Sequence, residues 1–385
     1  MKILYHHRIA SKDGQYVHLS EIVRALTAQG HEVKVVGPDV LESSDMGHDG
    51  GWVTKLKSML PKAAYEVLEL GYSVLAGWRL YKEAKTFKPD VIYERYNLHQ
   101  PAGVIVANAL KIPIQLEVNA PLAHERQRHG GMGLPWLANK VEAYTWSKSD
   151  KVLPVSEVLA EHCLKAGVPR ERIDVIHNGV RASSLDMALK MAKEAQKNKK
   201  EGEIIIGFVG FVHLTCGVEW AIEALKIINN KSVKLVCVGN GDNIEALKSL
   251  AEKAGVYDQV NFTGALERND VFKMMATFDI TLQPDVTDYA SPLKMFEYML
   301  FGTTIIAPDK ENIKEILRPS DAVFFDHKKP LSDSFVSALV DAVNNFEKLE
   351  CGKNALQRLQ EVPFTWDNNA KRIVENFDKL INQKG

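Results

Sequence analysis

Short apolar runs alternate along the chain with longer stretches in which apolar residues recur every three or four positions. Met1–Tyr5 reads as a strand and leads into a polar loop, HHRIASKDGQY. Val17–Gln29 then has Leu19, Ile22, Val23 and Leu26 on one helical face, and Gly30 stops it. Glu32–Val36, Asp90–Tyr93, Ile114–Val118, Lys151–Pro154 and Ile173–Ile176 are further expected strands. The pattern then restarts. Ile204–Val209 ends at Gly210 and precedes a helix over Val218–Ile228; Lys234–Val238 ends at GNGD, Gln259–Phe262 at TG, Ile280–Leu282 at QPD and Thr304–Ala307 at PD. Strands that end in Gly or Asp and lead into helices imply parallel sheets covered on both faces, with functional loops at the carboxyl edge.

The expected fold class is α/β, with two doubly wound, Rossmann-like domains facing across a cleft. The first spans residues 1–182 and the second 204–364. Between them, 183–203 is Lys-rich and poor in large apolar residues, which reads as a linker carrying a solvated helix. Ligands bind such sheets at strand carboxyl ends, so the cleft is the default site.

Composition narrows the picture. A chain of 385 residues is long enough for two domains. Lys+Arg 48 against Asp+Glu 49 leaves a formal charge of −1, which argues against a nucleic-acid partner. Cys163, Cys216, Cys237 and Cys351 form no CxxC pair, and His6, His7 and His31 have no metal-ligand spacing, so no metal is expected. The simplest compartment is a reduced cytoplasm. The start, MKILYHHRIA, turns polar and basic too early for a signal-peptide core, and no run approaches the ~20 apolar residues of a spanning helix. Contact with a membrane is therefore expected only from its inner face.

The most specific stretch is SPLKMFEYMLFGTTIIAPD, Ser291 to Asp309. Ser291 is expected to cap a helix with Pro292 at its first position, leaving backbone N–H groups and the positive dipole end for an anion such as phosphate. Glu297 follows about one and a half turns in, where a carboxylate can accept hydrogen bonds from sugar hydroxyls. This segment resembles the donor-binding motif of GT-B glycosyltransferases, specifically the retaining enzymes of family 4, whose glutamate holds the nucleotide ribose. The resemblance extends over nearly the whole chain. VSEVLAEHCLKAGVPRERIDVIHNGV is similar to the end of the family's first domain, and GFVGFVHLTCGVEWAIEAL to the start of the second. FTWDNNAKRIVENF resembles the closing helix, 365–385, that returns to the first domain, and the opening resembles a bacterial polysaccharide subset.

The resemblance implies a nucleotide-sugar donor, a UDP- or GDP-sugar, and transfer to a glycan, lipid-linked, peptide or small-molecule acceptor, with no cofactor and no metal. Retention in this fold is thought to need no side-chain nucleophile, the leaving phosphate taking the acceptor proton. Donor-binding candidates are Gly14, Gln15, Gly210, His213, Cys216, Gly217, Gly239, Ser291, Pro292, Lys294 and Glu297. Glu117, Asn119 and His18 are the catalytic candidates near the transferred sugar.

Three usual donor contacts are missing. The family's phosphate-binding Arg and Lys align with Phe211 and Cys216, and the earlier glutamate of its paired motif with Tyr289. Each lost charged donor is worth roughly 1.5–3 kcal/mol, so two uncompensated losses cost orders of magnitude in rate. His213 and Lys294 are the nearest substitute cations. Two alternatives follow: a GT-B protein without transfer activity acting as a partner subunit, or a transferase using an unusual donor.

Several residues keep a plain reading beside the functional one. Gly14-Gln15 is a phosphate-approaching turn or an ordinary one. His18 faces the cleft or simply opens a helix. Glu117 and Asn119 bind hydroxyls or fix a loop, and Glu94-Arg95 is a site pair or an internal ion pair. Cys216 is a reactive thiol or a packing residue. Leu56–Tyr81, rich in aromatic and aliphatic residues interleaved with Lys and Arg, is expected to pack the first domain, the competing reading being an interfacial surface for a lipid-linked acceptor.

Overall fold

The computed structural model describes residues 1–9, 14–38, 60–213 and 216–384. These residues form two compact units: 1–178 with 289–291 and 366–385, and 179–288 with 292–365.

Unit 1 holds strands β1 (Lys2–His6), β2 (Glu32–Val36), β3 (Val91–Arg95), β4 (Ile114–Val118) and β5 (Lys151–Pro154). They form one wholly parallel sheet in the order 2-1-3-4-5. The three central strands are almost entirely buried, as a sheet with both faces covered demands. Helices α1 (Gly14–Ala28), α2 (Lys62–Phe87), α3 (Ala102–Leu110), α4 (Leu122–Arg128), α5 (Pro135–Lys148) and α6 (Glu157–Lys165) connect and cover the strands. The expected strand Ile173–Ile176 is absent. That segment makes a single bridge, Ile173 to Val152, because its amides find the β5 carbonyls only at Asp174 and Ile176.

Unit 2 begins with α7 (Ser184–Lys197), inside the stretch read as a linker. Ala188 is fully buried, and Leu185, Met191 and Ala192 pack on the unit's core, so the helix is amphipathic and docked. Strands β6 (Ile204–Val209), β7 (Val233–Val238), β8 (Val260–Gly264), β9 (Ile280–Leu282), β10 (Thr304–Pro308) and β11 (Val323–Phe325) follow. Their order is 11-10-9-6-7-8, so the sheet reverses direction between β6 and β9. Helices α8 (Val218–Ile228), α9 (Ile244–Ala254), α10 (Arg268–Met275), α11 (Leu293–Phe301), α12 (Glu311–Lys314), α13 (Leu331–Asn344) and α14 (Cys351–Glu361) complete the unit. β11, three residues long like β9, is not among the strands expected from the sequence.

The last helix, α15 (Trp366–Lys384), belongs to unit 1. Ala370, Ile373 and Phe377 are fully buried there, and the Gln115 side chain donates to the Ile373 carbonyl at 2.9 Å. The expectation for Leu56–Tyr81 fails over its described part. Val67, Leu68, Val74, Leu75, Trp78 and Tyr81 are all exposed, while Leu80 and Ala84 supply the buried side of α2. Residues 56–59 lie outside the described residues.

Candidate functional site

In unit 2 the crossing point between β6 and β9 is where a doubly wound sheet opens a crevice at its carboxyl edge. Glycines draw the backbone together there. Gly210 (φ 145°) and Gly239 (φ 137°) lie just beyond β6 and β7, and a Cβ on Gly239 would stand 2.0 Å from the Gly210 carbonyl oxygen. Their N–H groups are spent, on the carbonyls of Val238 and Gly264 at 3.0 Å each. These glycines act by close approach rather than as donors. Gly217 (φ 77°) precedes α8 without capping it, and a Cβ there would meet Pro284 at 2.2 Å.

α11 carries the specific motif. It starts at Leu293 with Pro292 as the preceding cap residue and no side chain bonded to its first turn. Ser291 does not cap it. Its hydroxyl accepts the Asn178 N–H at 3.0 Å and its carbonyl accepts from the Asn178 side chain at 2.6 Å, both within unit 1. Pro292 accordingly stands one position earlier than the Ser-Pro pattern suggests.

Two motif side chains define the site. The Lys294 ammonium lies 4.3 Å from the centre of the Phe208 ring and 3.7 Å from where a Cβ on Gly210 would stand. No carboxylate among the described residues pairs with it. Burial pushes its pKa down to about 8. Glu297, buried at 8% exposure, accepts from the exposed Arg268 guanidinium. Burial raises its carboxyl above the ordinary value, with Arg268 opposing. Tyr298, next in sequence, turns inward, and its hydroxyl accepts the Val209 N–H at 3.0 Å, fastening α11 to the end of β6. Arg268 was not anticipated: ERND reads as a solvated helix start, and nothing in sequence links it to a glutamate 29 positions on.

The remaining donor candidates divide. His213 is exposed, its ring 6.4 Å from that of the half-exposed Phe211. Cys216 is a buried core residue whose thiol is pushed up by burial, so the reactive-thiol reading does not hold. Tyr289 packs into unit 1, its hydroxyl donating to Glu125 and its carbonyl accepting from Ser156 at 2.7 Å. Gly14 and Gln15 are exposed at the first turn of α1; the loop before them lies outside the described residues.

Unit 1 gathers its candidates into one buried polar cluster at the carboxyl end of β4. Glu117 is 2% exposed and uses both oxygens. One accepts from Arg95 and from the Asn119 amide, with the His18 Nδ1 at 2.9 Å. The other accepts from the hydroxyls of Tyr5 and Tyr93 at 3.2 and 3.1 Å. Burial alone would raise this carboxyl, but the charges of His18 and Arg95, with hydrogen bonds from His18 and Asn119, hold it well below the usual carboxylate range. His18 is buried against the Trp366 ring at 4.8 Å, and its Nδ1 also lies 2.7 Å from Arg95. That nitrogen can accept from Arg95 or, protonated, donate to Glu117, but not both at once. Glu94 bonds to His6 at 2.7 Å, so Glu94 and Arg95 take different partners rather than each other.

Comparison with known proteins agrees with this architecture. The model of Glycosyltransferase Family 4 matches residues 12–184 and that of Glycosyl transferases group 1 matches 190–359. An uncharacterised glycosyltransferase of Methanocaldococcus jannaschii is 22% identical over 97% of this chain and 96% of its own. Among solved structures, HepE of Anabaena in complex with UDP superposes with a TM-score of 0.74 at 17% identity, covering 98% of this chain and all of the other. HepE has also been solved with UDP-glucose, at a TM-score of 0.70 and the same identity and coverage. WaaG, a glycosyltransferase involved in lipopolysaccharide biosynthesis, gives 0.65 at 15% identity over 97% of this chain and 99% of its own. Together with the two parallel sheets and the α11 motif, these matches establish that the chain belongs to family 4 of the glycosyltransferases and has the GT-B fold.

Proposed function

We propose that the protein is a retaining glycosyltransferase whose unit 2 takes a nucleoside-diphosphate sugar, with Lys294 as the principal cation at the diphosphate and Glu297 at the ribose. The observation that carries this reading is the ammonium of Lys294, largely desolvated and paired with no carboxylate among the described residues. Desolvating a cation costs several kcal/mol, whereas a cation–π contact such as that with Phe208 returns ~0.5–2. The deficit is recovered when an anion arrives beside it. The uncapped first turn of α11 offers backbone donors to the same anion. On this reading one half-buried cation and a helix terminus do the work that the family resemblance assigns to an Arg–Lys pair.

Glu297 already accepts a charge-assisted hydrogen bond from Arg268. A bound ribose exchanges that partner for hydroxyls, and the exposed guanidinium swings out at little cost. In unit 1, Glu117 serves as the anchor of the cluster rather than as a group that meets the sugar, since its lone pairs are taken within the protein. Asn119 and His18, the members bonded to it, are positioned by it. HepE, the fold relative solved with UDP and UDP-glucose, makes UDP-glucose the first donor to try. The acceptor hydroxyl attacks as the phosphate leaves from the same face, and its proton passes to that phosphate.

The test is a donor screen with detection of the product and its anomeric configuration, run beside Glu297→Ala. Transfer with retained configuration is expected, with nucleotide affinity falling at least about tenfold in the variant. Nucleotide binding without transfer to any acceptor would favour a binding subunit instead. Unchanged affinity in Glu297→Ala would show that the ribose site is misassigned.

A further inference from the structure

We propose that the outward face of α2 is a docking surface for an anionic lipid bilayer. The inference rests on unit 1 alone and is independent of the donor reading.

Val67 and Leu68 lie two turns before Val74, Leu75, Trp78 and Tyr81 on the same side of the helix, with the exposed Gly71 between the two groups. Their exposure runs from 40% for Tyr81 to 74% for Val74. A soluble monomer seldom leaves such a stripe to water. Trp136 and Ile105 are also exposed, on the neighbouring helices α5 and α3: residues 133–134 bond to Glu66 of α2, and Gly77 of α2 lies against Ala102 of α3.

The charges on α2 are sorted. Glu66 is buried and accepts from the Gly133 and Leu134 N–H groups at 2.6 and 2.8 Å. Glu69 pairs with Arg126 at 2.6 Å and Glu83 with Lys34 at 2.5 Å. Every carboxylate of the helix is thus engaged within the unit. The cations Arg79, Lys82 and Lys85 are exposed instead, with Lys82 lying 3.6 Å over the Trp78 ring and Lys85 5.5 Å over Tyr81, while the Lys62 ammonium donates to the Gly130 carbonyl at 2.6 Å. Arg79 also lines a recess with Arg8 and Arg95, against the single carboxylate of Glu94.

This sorting selects the occupant. A second copy of the chain, docked by the same face, would set like cations against each other. A bilayer with anionic headgroups meets both features at once: the apolar stripe enters the acyl boundary, and the long cationic stems reach back to the phosphates. Aromatic rings beside Lys and Arg suit that interface. Among the described residues no helix is long and apolar enough to cross a membrane, so the contact lies in the plane of one leaflet.

Co-sedimentation of the full chain with vesicles tests this, using phosphatidylcholine alone and phosphatidylcholine mixed with phosphatidylglycerol. The protein is expected to partition into the mixed vesicles at least about tenfold more strongly. Val74→Asp with Leu75→Asp should reduce that partition at least about tenfold, and so should Lys82→Glu with Lys85→Glu. All four positions are exposed, so the thermal midpoint and solution affinity for UDP should stay unchanged, which separates loss of docking from loss of fold or donor site. Failure to bind the mixed vesicles, or equal binding to both kinds, would overturn the proposal. So would a dimer in sedimentation velocity that Val74→Asp with Leu75→Asp dissolves, since the face would then belong to a second copy.

Discussion

Lys294 holds its charge in surroundings that disfavour it, and the consequence can be read in stability as well as in binding. Its folded pKa of about 8 lies below the ~10.4 of an unfolded lysine. Between those values the unfolded chain keeps a proton that the folded chain has released, so stability rises with pH from about 8 to ~10.4. Below that window the penalty is present in full. Lys294→Met should therefore stabilise the protein at pH 7 by ~1–3 kcal/mol, read as a higher midpoint in chemical denaturation, and the gain should shrink as pH climbs through the window. Glu117 has the opposite sign. Its carboxyl is held below the usual range, so its contribution is present above the unfolded value of ~4.3 and is lost as pH falls towards the folded one. Glu117→Gln leaves Arg95 without its buried carboxylate and should cost ~3–5 kcal/mol, with a flatter acid limb in the denaturation profile. Lys294 and Glu297 are candidates that the sequence offers by a local pattern, a lysine and a glutamate three residues apart on one helix. The pairing of Arg268 with Glu297, and of Tyr5, His18, Tyr93 and Arg95 with Glu117, could not be read from the sequence, since these partners come from elsewhere in the chain and the sheet sets the distances between them; only Asn119, two residues on, is a local partner.

At the scale of elements, the strands announced themselves because parallel strands buried on both faces are compact apolar runs. Ile173–Ile176 has the same look but secures its burial through one bridge and a pair of hydrogen bonds. α7 misled in the other direction: its Lys-rich outer face hid a buried stripe centred on Ala188. α2 misled most, because aromatic and aliphatic residues at helical spacing usually point inward and here most point out. α15 shows how far an element can act from its place in the chain. Its side chains fill unit 1, and its Arg372 and Asn376 both donate to Asp174, at 2.5 and 2.7 Å. Phe377 is fully buried, so Phe377→Ala should destabilise unit 1 by ~3–5 kcal/mol. Hydrogen exchange would then accelerate in residues 1–178 and leave 204–288 little changed, whereas acceleration confined to α15 would mean that the helix is only loosely docked.

For the whole molecule, a near-neutral charge conceals a strong local sorting of it. The sum of 48 cations and 49 anions gives no sign that α2 keeps its carboxylates paired and its cations exposed. Sheet order was equally invisible in the sequence, and it is sheet order that sets the edge where the candidate site lies: the reversal between β6 and β9 brings Gly210, Pro284 and the start of α11 to one edge of unit 2. A ligand seated there binds only the folded unit, so UDP at a hundred times its Kd should stabilise unit 2 by ~2.7 kcal/mol.

Calorimetric titration of UDP into the full chain and into Lys294→Met, at pH 7 and with thermal midpoints recorded, asks whether the desolvated ammonium is the diphosphate's cation. We expect saturable binding to the natural protein and a loss of at least about tenfold in the variant, with a midpoint equal or higher. Equal affinity in the two proteins would contradict the account, because the burial of Lys294 would then serve packing and the diphosphate would be held by other groups.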